Sequence, residues 1–360
     1  MNVAYDEKIK SLEDEISRTK KNKATELHIG LLKAKIADFK DKEETLKRGK
    51  AKGLGFGVKK TGHATVVFVG IPSVGKSTLI NALTNAGSKV AAYEFTTLEV
   101  IPGMMNYGGV SIQLLDVPGL IVGAAGGKGR GREVLSMVRN ADLALIVLDA
   151  TRISVGEQIK SELEGVGVRL DKHPPEVVVK RRDRGGVKVT STVKLTKLKA
   201  DEIKSVLMTQ GVLSADVILR QDVSADELID VVKGNRVYVP SVVVVNKMDL
   251  AGNTRLPDGY LPISASNKTG LETLREEIFA KLKFIRVYMK PQGGKADYRE
   301  PMVMKKGATV RDVCQMMHKE FLQKFRYAMV WGESVKHEGQ RCGLSHILKD
   351  KDTLTIVREL

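Results

Sequence analysis

One segment restricts this chain more than any other. Gly70-Ile71-Pro72-Ser73-Val74-Gly75-Lys76-Ser77 follows the apolar run Thr65 to Val69 and precedes a helical stretch opening near Thr78. A glycine-rich turn between a buried strand and a helix lets backbone N–H groups converge on an anion, and the helix N-terminus adds its positive dipole end. In such a loop Lys76 is placed to reach the β and γ phosphates of a nucleotide, and the Ser77 hydroxyl to ligate Mg2+. Gly70, Pro72, Ser73, Val74, Gly75, Lys76, Ser77 and Thr78 are the candidate phosphate-binding residues.

The rest of the chain supplies the sheet that this loop needs. Thr65 to Val69, Val110 to Leu115, Leu143 to Leu148 and Val242 to Val245 are near-continuous apolar runs with helical stretches between them. Runs of that kind predict a parallel α/β sheet with helices on both faces. Asp116-Val117-Pro118-Gly119 closes the second run, where Asp116 can hold Mg2+ directly or through water and the Gly119 N–H can sense the γ phosphate. Asn246-Lys247-Met248-Asp249 closes the fourth. A carboxylate at Asp249 accepts from N1–H and the 2-amino group of guanine, whereas adenine offers neither donor, so GTP and GDP are the expected ligands. Lys247 is expected to pack its stem along the base, and the backbone of Ser264, Ala265 and Ser266 to close over it.

The catalytic parts are less sharply drawn. Phe95-Thr96-Thr97-Leu98 offers two hydroxyls that can complete Mg2+ coordination, and Thr97 is the candidate because it lies nearer the following strand. Lys76, Thr97 and Gly119 are the candidate catalytic residues, with Ser77, Thr97 and Asp116 as metal ligands. Leu120 stands where many GTPases carry a glutamine that orients the attacking water, and an apolar side chain cannot do that. Backbone groups, another side chain or a K+ ion must serve instead. Ser73 stands where potassium-using GTPases commonly carry asparagine, which weakens the K+ route. Slow intrinsic turnover follows. The stretch Gly123 to Arg132 is too glycine-rich to be rigid and reads as a mobile switch; its Lys128, Arg130 and Arg132 either supply charge to the reaction or are solvated.

At 360 residues the chain is expected to hold two to four cooperative units. Apolar spacing in residues 1–48, through Ile9, Leu12 and Ile16 and then Ile29, Leu32, Ile36 and Phe39, predicts a helical hairpin. Residues 49–62 form a glycine- and lysine-rich linker, and 63–151 with 236–283 make the nucleotide-binding domain. The stretch between Asp149 and Pro240 exceeds any ordinary crossover, so an inserted α+β domain is expected over 152–235. It should hold a half-wet strand at Val187 to Val193 and helices near Ala200 to Met208 and Ala225 to Val232. Residues 284–360 read as a β-grasp unit: a strand at Phe284 to Met289, a helix from Val310 to about Lys324 opened by Thr309 and Asp312, and strands at Tyr327 to Trp331 and Thr353 to Val357.

A formal charge of +16 points to a polyanionic partner. Lys180, Arg181, Arg182, Arg184, Lys188 and Lys194 cluster in the insert, and Lys305, Lys306, Lys319 and Lys324 stud the C-terminal unit. An aromatic content of 5% argues against stacking platforms for single strands, and nothing indicates DNA specificity. Two cysteines exclude a disulfide framework, and no apolar run is long enough for a membrane span. A cytoplasmic protein without a membrane partner is the expectation.

On these residues the sequence resembles the developmentally regulated GTP-binding protein family, in the Obg-like branch of translation-associated GTPases. The resemblance spans nearly the whole chain. Its carriers include Thr19 to Thr25, Gly70 to Thr78, Ala92 to Leu98, Gly127 to Arg132, Gly234 to Pro240 and Val330 to His337. It implies a helical N-terminal region, a GTPase domain interrupted by a ribosomal-S5-like insert, and a C-terminal TGS domain of β-grasp type. It also implies GTP hydrolysis, association with the ribosome or RNA, and, in eukaryotic members, a small stabilising partner protein. The competing reading is an RNA-binding scaffold in which GTP is mainly structural, kept open by Leu120.

Overall fold

The near-continuous apolar runs become strands buried along their length in the computed structural model, which describes residues 3–20, 25, 28–33, 35, 36, 39, 61–84, 101–116, 137–165, 167–234, 236–252 and 255–359. The chain divides into two compact units, Met1–Gly55 with Gly167–Tyr238, and Phe56–Val166 with Val239–Leu360.

In the first unit, helix α1 (Val3–Arg18) precedes a further helical stretch at 28–33 and 35–36. Ile29, Leu32 and Ile36 are buried there, Glu15 and His28 meet at 3.0 Å, and Lys33 pairs with Asp226 at 2.6 Å.

The second unit is built on a six-stranded sheet. Its members are β1 (Ala64–Val69), β2 (Ile101–Tyr107), β3 (Val110–Asp116), β4 (Leu143–Asp149), β10 (Ser241–Asn246) and β11 (Tyr260–Pro262) in the order β11-β10-β4-β1-β3-β2. Every pairing is parallel except β2 with β3. β2 carries Pro102, which has no N–H to donate to a ladder, and the strand accordingly lies at the edge. Helix α2 (Lys76–Leu83) buries Leu79, Ile80 and Leu83, and α6 (Leu271–Leu282) buries Leu274 and Ile278, in one core with Val66, Phe68, Leu114, Leu145 and Val244. Helix α3 (Val155–Gly165) packs on β4, so the unit containing the insert begins at Gly167 where the sequence reading began it at 152.

The insert follows, with β5 (Val168–Leu170) beside β9 (Val237–Val239) and a sheet of β6 (Val177–Arg181), β8 (Ala215–Leu219) and β7 (Val187–Ser191). Helices α4 (Ala200–Thr209) and α5 (Ala225–Lys233) cover one face, burying Ile203, Val206 and Leu228 against Val177, Val217 and Leu219. Ser224 and Glu227 cap α5 reciprocally. The expected strand to Val193 stops at Ser191, whose hydroxyl donates to Val193 O at 2.7 Å and turns the chain. The basic run at Lys180 and Arg181 is itself strand, with alternate residues facing outward.

Within the second unit, β12 (Phe284–Met289), β13 (Met302–Lys305), β14 (Phe325–Trp331), β15 (Gln340–Cys342) and β16 (Thr353–Arg358) form a sheet ordered β13-β12-β16-β14-β15. β12 and β16 run parallel, the arrangement of a β-grasp. The helix expected to run to Lys324 is two helices, α7 (Val310–Met317) and α8 (Lys319–Gln323). His318 between them is fully extended, and its ring Nδ1 accepts the Glu320 N–H at 3.3 Å, so it ends one helix and caps the next. The Thr309 N–H donates to Asp312 at 2.7 Å and opens α7.

Candidate nucleotide site

The carboxyl ends of the parallel strands bring the expected residues to one rim, the general location of ligands in open α/β sheets. Register does this directly: Asp116 lies opposite Phe68, and Asn246 opposite Asp149. The loop Gly70 to Gly75 leaves β1 over that rim and enters α2 at Lys76. Gly75 sits at φ +88°, a left-handed conformation, and a Cβ there would approach Asn246 Nδ2 to 2.5 Å. Only glycine satisfies both conditions. Pro72 and Ser73 are exposed while Val74 is buried, and Thr78 is exposed one residue beyond Ser77.

Lys76 is 7% exposed and its ammonium donates to the Gly70 and Ile71 carbonyls at 3.1 and 3.2 Å. Burial pushes its pKa down, and the Asp116 carboxylate opposes that shift. The Ser77 hydroxyl donates to Asp116 Oδ2 at 2.5 Å. Asp116 Oδ1 is buried and, among the described residues, has no hydrogen-bond partner. A buried carboxylate oxygen left bare beside a hydroxyl is costly unless something meets it, and a hard cation is the species that these oxygens suit.

The base side of the site is braced by Asn246, which is 2% exposed. Its Nδ2 donates to Val74 O at 2.9 Å and its Oδ1 accepts the Ala265 N–H at 3.0 Å, so one carboxamide ties the phosphate loop to the segment Ser264 to Ser266. Ser264 is buried and accepts the Asn267 N–H at 3.1 Å, while Ser266 is exposed. Lys247 donates to Ser73 O at 2.8 Å and pairs with Asp149 at 2.8 Å. Asp249 is exposed in the turn Met248–Leu250, and among the described residues its carboxylate has no hydrogen bond or ion pair, leaving both oxygens open to a ligand.

Asp149 is the residue that sequence reasoning missed. Burial alone would raise the pKa of its carboxyl, but Lys247 together with the Thr151 N–H and hydroxyl outweighs this and holds it down to about 2. Its signal was visible as a carboxylate ending an otherwise apolar strand, Leu143 to Asp149, next to the strand that carries Asn246. Thr96, Thr97, Gly119, Leu120, Lys128, Arg130 and Arg132 lie outside the described residues.

A phosphate loop with its lysine, a hydroxyl–carboxylate pair and an Asn-Lys-x-Asp turn on one rim of a parallel sheet define a P-loop GTPase. Family models agree: residues 65–181 match a 50S ribosome-binding GTPase, 184–284 the C-terminal region of that domain, and 285–358 a TGS domain. An uncharacterised GTP-binding protein of Methanocaldococcus jannaschii is 50% identical over 99% of this chain and 93% of its own. The developmentally-regulated GTP-binding protein 1 homolog of Dictyostelium discoideum is 46% identical over 98% of this chain and 99% of its own. Developmentally-regulated GTP-binding protein 2 of Bos taurus is 44% identical over 98% and 99%. The chain belongs to the developmentally regulated GTP-binding protein family. No helix among the described residues is long and apolar enough to cross a membrane.

Proposed function

We propose that this chain is a Mg2+-dependent GTPase that acts as a switch on the ribosome or another RNA target. The observation that carries the nucleotide half is the bare, buried Asp116 Oδ1 beside the Ser77 hydroxyl, on a loop whose lysine is already drawn to its mouth. Ser77 and Asp116 would hold Mg2+, with Thr97 completing the set. Bound there, the ion supplies positive charge to the β and γ phosphate oxygens. Lys76 shares that task through its ammonium, and the N–H groups of the loop and α2 orient the phosphates. Gly119 contributes an N–H toward the γ phosphate, and Asp249 selects guanine through its two open carboxylate oxygens. Calorimetric titration with Mg2+ and GTP tests this half: Lys76→Ala and Ser77→Ala should each abolish productive binding, and unchanged affinity in both would refute it.

The RNA half rests on the face of the insert sheet that no helix among the described residues covers. Lys180 and Lys188 flank Asp216 in register on that face, and Arg181, Arg184 and Lys194 are exposed nearby. Arg182 pairs with Asp216, so its charge is partly spoken for. Replacing Lys180, Arg181 and Arg184 by glutamine should weaken RNA or ribosome binding and flatten its salt dependence, by roughly one unit of log-log slope for each phosphate no longer neutralised, with GTP binding intact. An unaltered slope would remove the insert from the RNA interface.

A further inference from the structure

Two side-chain-bearing residues of the nucleotide site hold left-handed backbone conformations. Ser73 in the phosphate loop has φ +66°, and Lys247 at the end of β10 has φ +64°. A Cβ makes that conformation costly, so it persists only where the surroundings fix it. Here the two residues are tied together, because the Lys247 ammonium donates to Ser73 O at 2.8 Å. The lysine stem therefore runs from the end of β10 to the phosphate loop, starting two residues from the open carboxylate of Asp249.

The same ammonium is held a second time, by Asp149. Oδ2 of that carboxylate meets Lys247 Nζ at 2.8 Å. Its Oδ1 accepts the Thr151 N–H at 2.9 Å and the Thr151 hydroxyl at 2.8 Å. The two oxygens thus have separate duties: the turn after β4 fixes one, and the other is left for the lysine. Backbone register sets the spacing, since Asn246 lies directly opposite Asp149 and the Ala150 N–H donates to Asn246 O at 3.1 Å. With side-chain exposures of 14% for Asp149 and 34% for Lys247, water screens this pair less than it would a pair standing free on the surface.

We propose that Asp149 and Thr151 are positioning residues for guanine, holding the Lys247 ammonium so that its stem is laid out as a floor for the base before nucleotide arrives. The inference rests on the GTP reading above and adds to it the residues that prepare the base side. A free lysine samples many rotamers, and ordering one during binding costs on the order of 3- to 10-fold in affinity. Anchored at Asp149 and at Ser73 O, Lys247 has already given up that freedom on folding. The γ phosphate is served by Lys76 and Ser77 on α2, so the gain from a prepared base floor is shared equally by GTP and GDP. An Asp149 that only closes the turn after β4 would act through Thr151 alone, and its value would not depend on Lys247.

Calorimetric titration of the full chain with GDP and with GTP, each in Mg2+, tests the dependence on Lys247. Asp149→Asn should weaken both nucleotides by the same factor, about 3- to 10-fold, with faster release of methylanthraniloyl-GDP. Thr151→Val keeps the carboxylate but removes the hydroxyl that fixes it, and should give a smaller loss in the same direction. Lys247→Met keeps an unbranched stem without the ammonium. In that background neither Asp149→Asn nor Thr151→Val should cost further affinity. Parental affinity in both single variants, or losses of undiminished size in the Lys247→Met background, would overturn the positioning role. A loss confined to GTP would overturn it too, by moving the effect to the phosphate side. A parent chain that binds neither nucleotide would overturn the GTP reading itself, a result separate from all of these.

Discussion

Asn246→Ala separates a brace from a reader within one four-residue turn. The Asn246 carboxamide is the sole described partner joining Val74 O, at 2.9 Å, to the Ala265 N–H, at 3.0 Å. Val74 is 1% and Ala265 4% exposed, so truncation strands a carbonyl and an N–H away from water. Each stranded group costs about 1 to 3 kcal/mol, and a water admitted into the space left by the carboxamide recovers part of it, leaving a loss of about 2 to 4 kcal/mol. Asp249→Ala, three residues on, removes an exposed carboxylate without a partner among the described residues and should change stability by no more than about 0.5 kcal/mol. Urea unfolding of the nucleotide-free chain, followed by circular dichroism, compares the two. Both variants should lose GTP affinity, but only Asn246→Ala should shift the midpoint downward. An Asn246→Ala midpoint equal to that of the parent would refute the bracing role.

Three further outcomes follow from the site. Asp249→Asn should move base preference toward xanthine nucleotides, because an amide N–H can meet the 2-carbonyl of xanthine; unchanged preference in a GTP against XTP competition would contradict base reading by this residue. The Asp149 carboxyl is held at about 2, below its ordinary 3.8, so its contribution to stability is complete above about 4 and is lost as pH falls toward 2. Asp149→Asn should lower stability at neutral pH and flatten that part of the acid-unfolding curve, and parallel curves would sink the Lys247 pairing. Gly75→Ala places a Cβ 2.5 Å from Asn246 Nδ2 at a left-handed φ, and should cost GTP affinity at least tenfold by calorimetry, about 1.4 kcal/mol, with parental affinity as the contrary result.

Much of this architecture was legible because the signals are local. Four apolar runs announced buried strands, and the strand ends with the turns and helix that follow them carried Lys76, Ser77, Asp116, Asn246 and Asp249 to one rim. What escaped depends on tertiary partners. β2 hides behind Pro102 and Gly103, residues that disfavour strands except at an edge. The break at His318 follows from a side-chain cap that competes with helix continuation. Asp149 gains its role only when register sets it beside Asn246 and Lys247.

Single-turnover hydrolysis of GTP with and without purified ribosomes tests the central claim most directly. A switch that works on an RNA target should hydrolyse slowly alone, because Leu120 cannot orient water, and at least about tenfold faster with ribosomes, a barrier reduction of about 1.4 kcal/mol. The stimulation should vanish with Lys76→Ala. Equal rates with and without ribosomes would contradict the switch and leave GTP as a structural ligand.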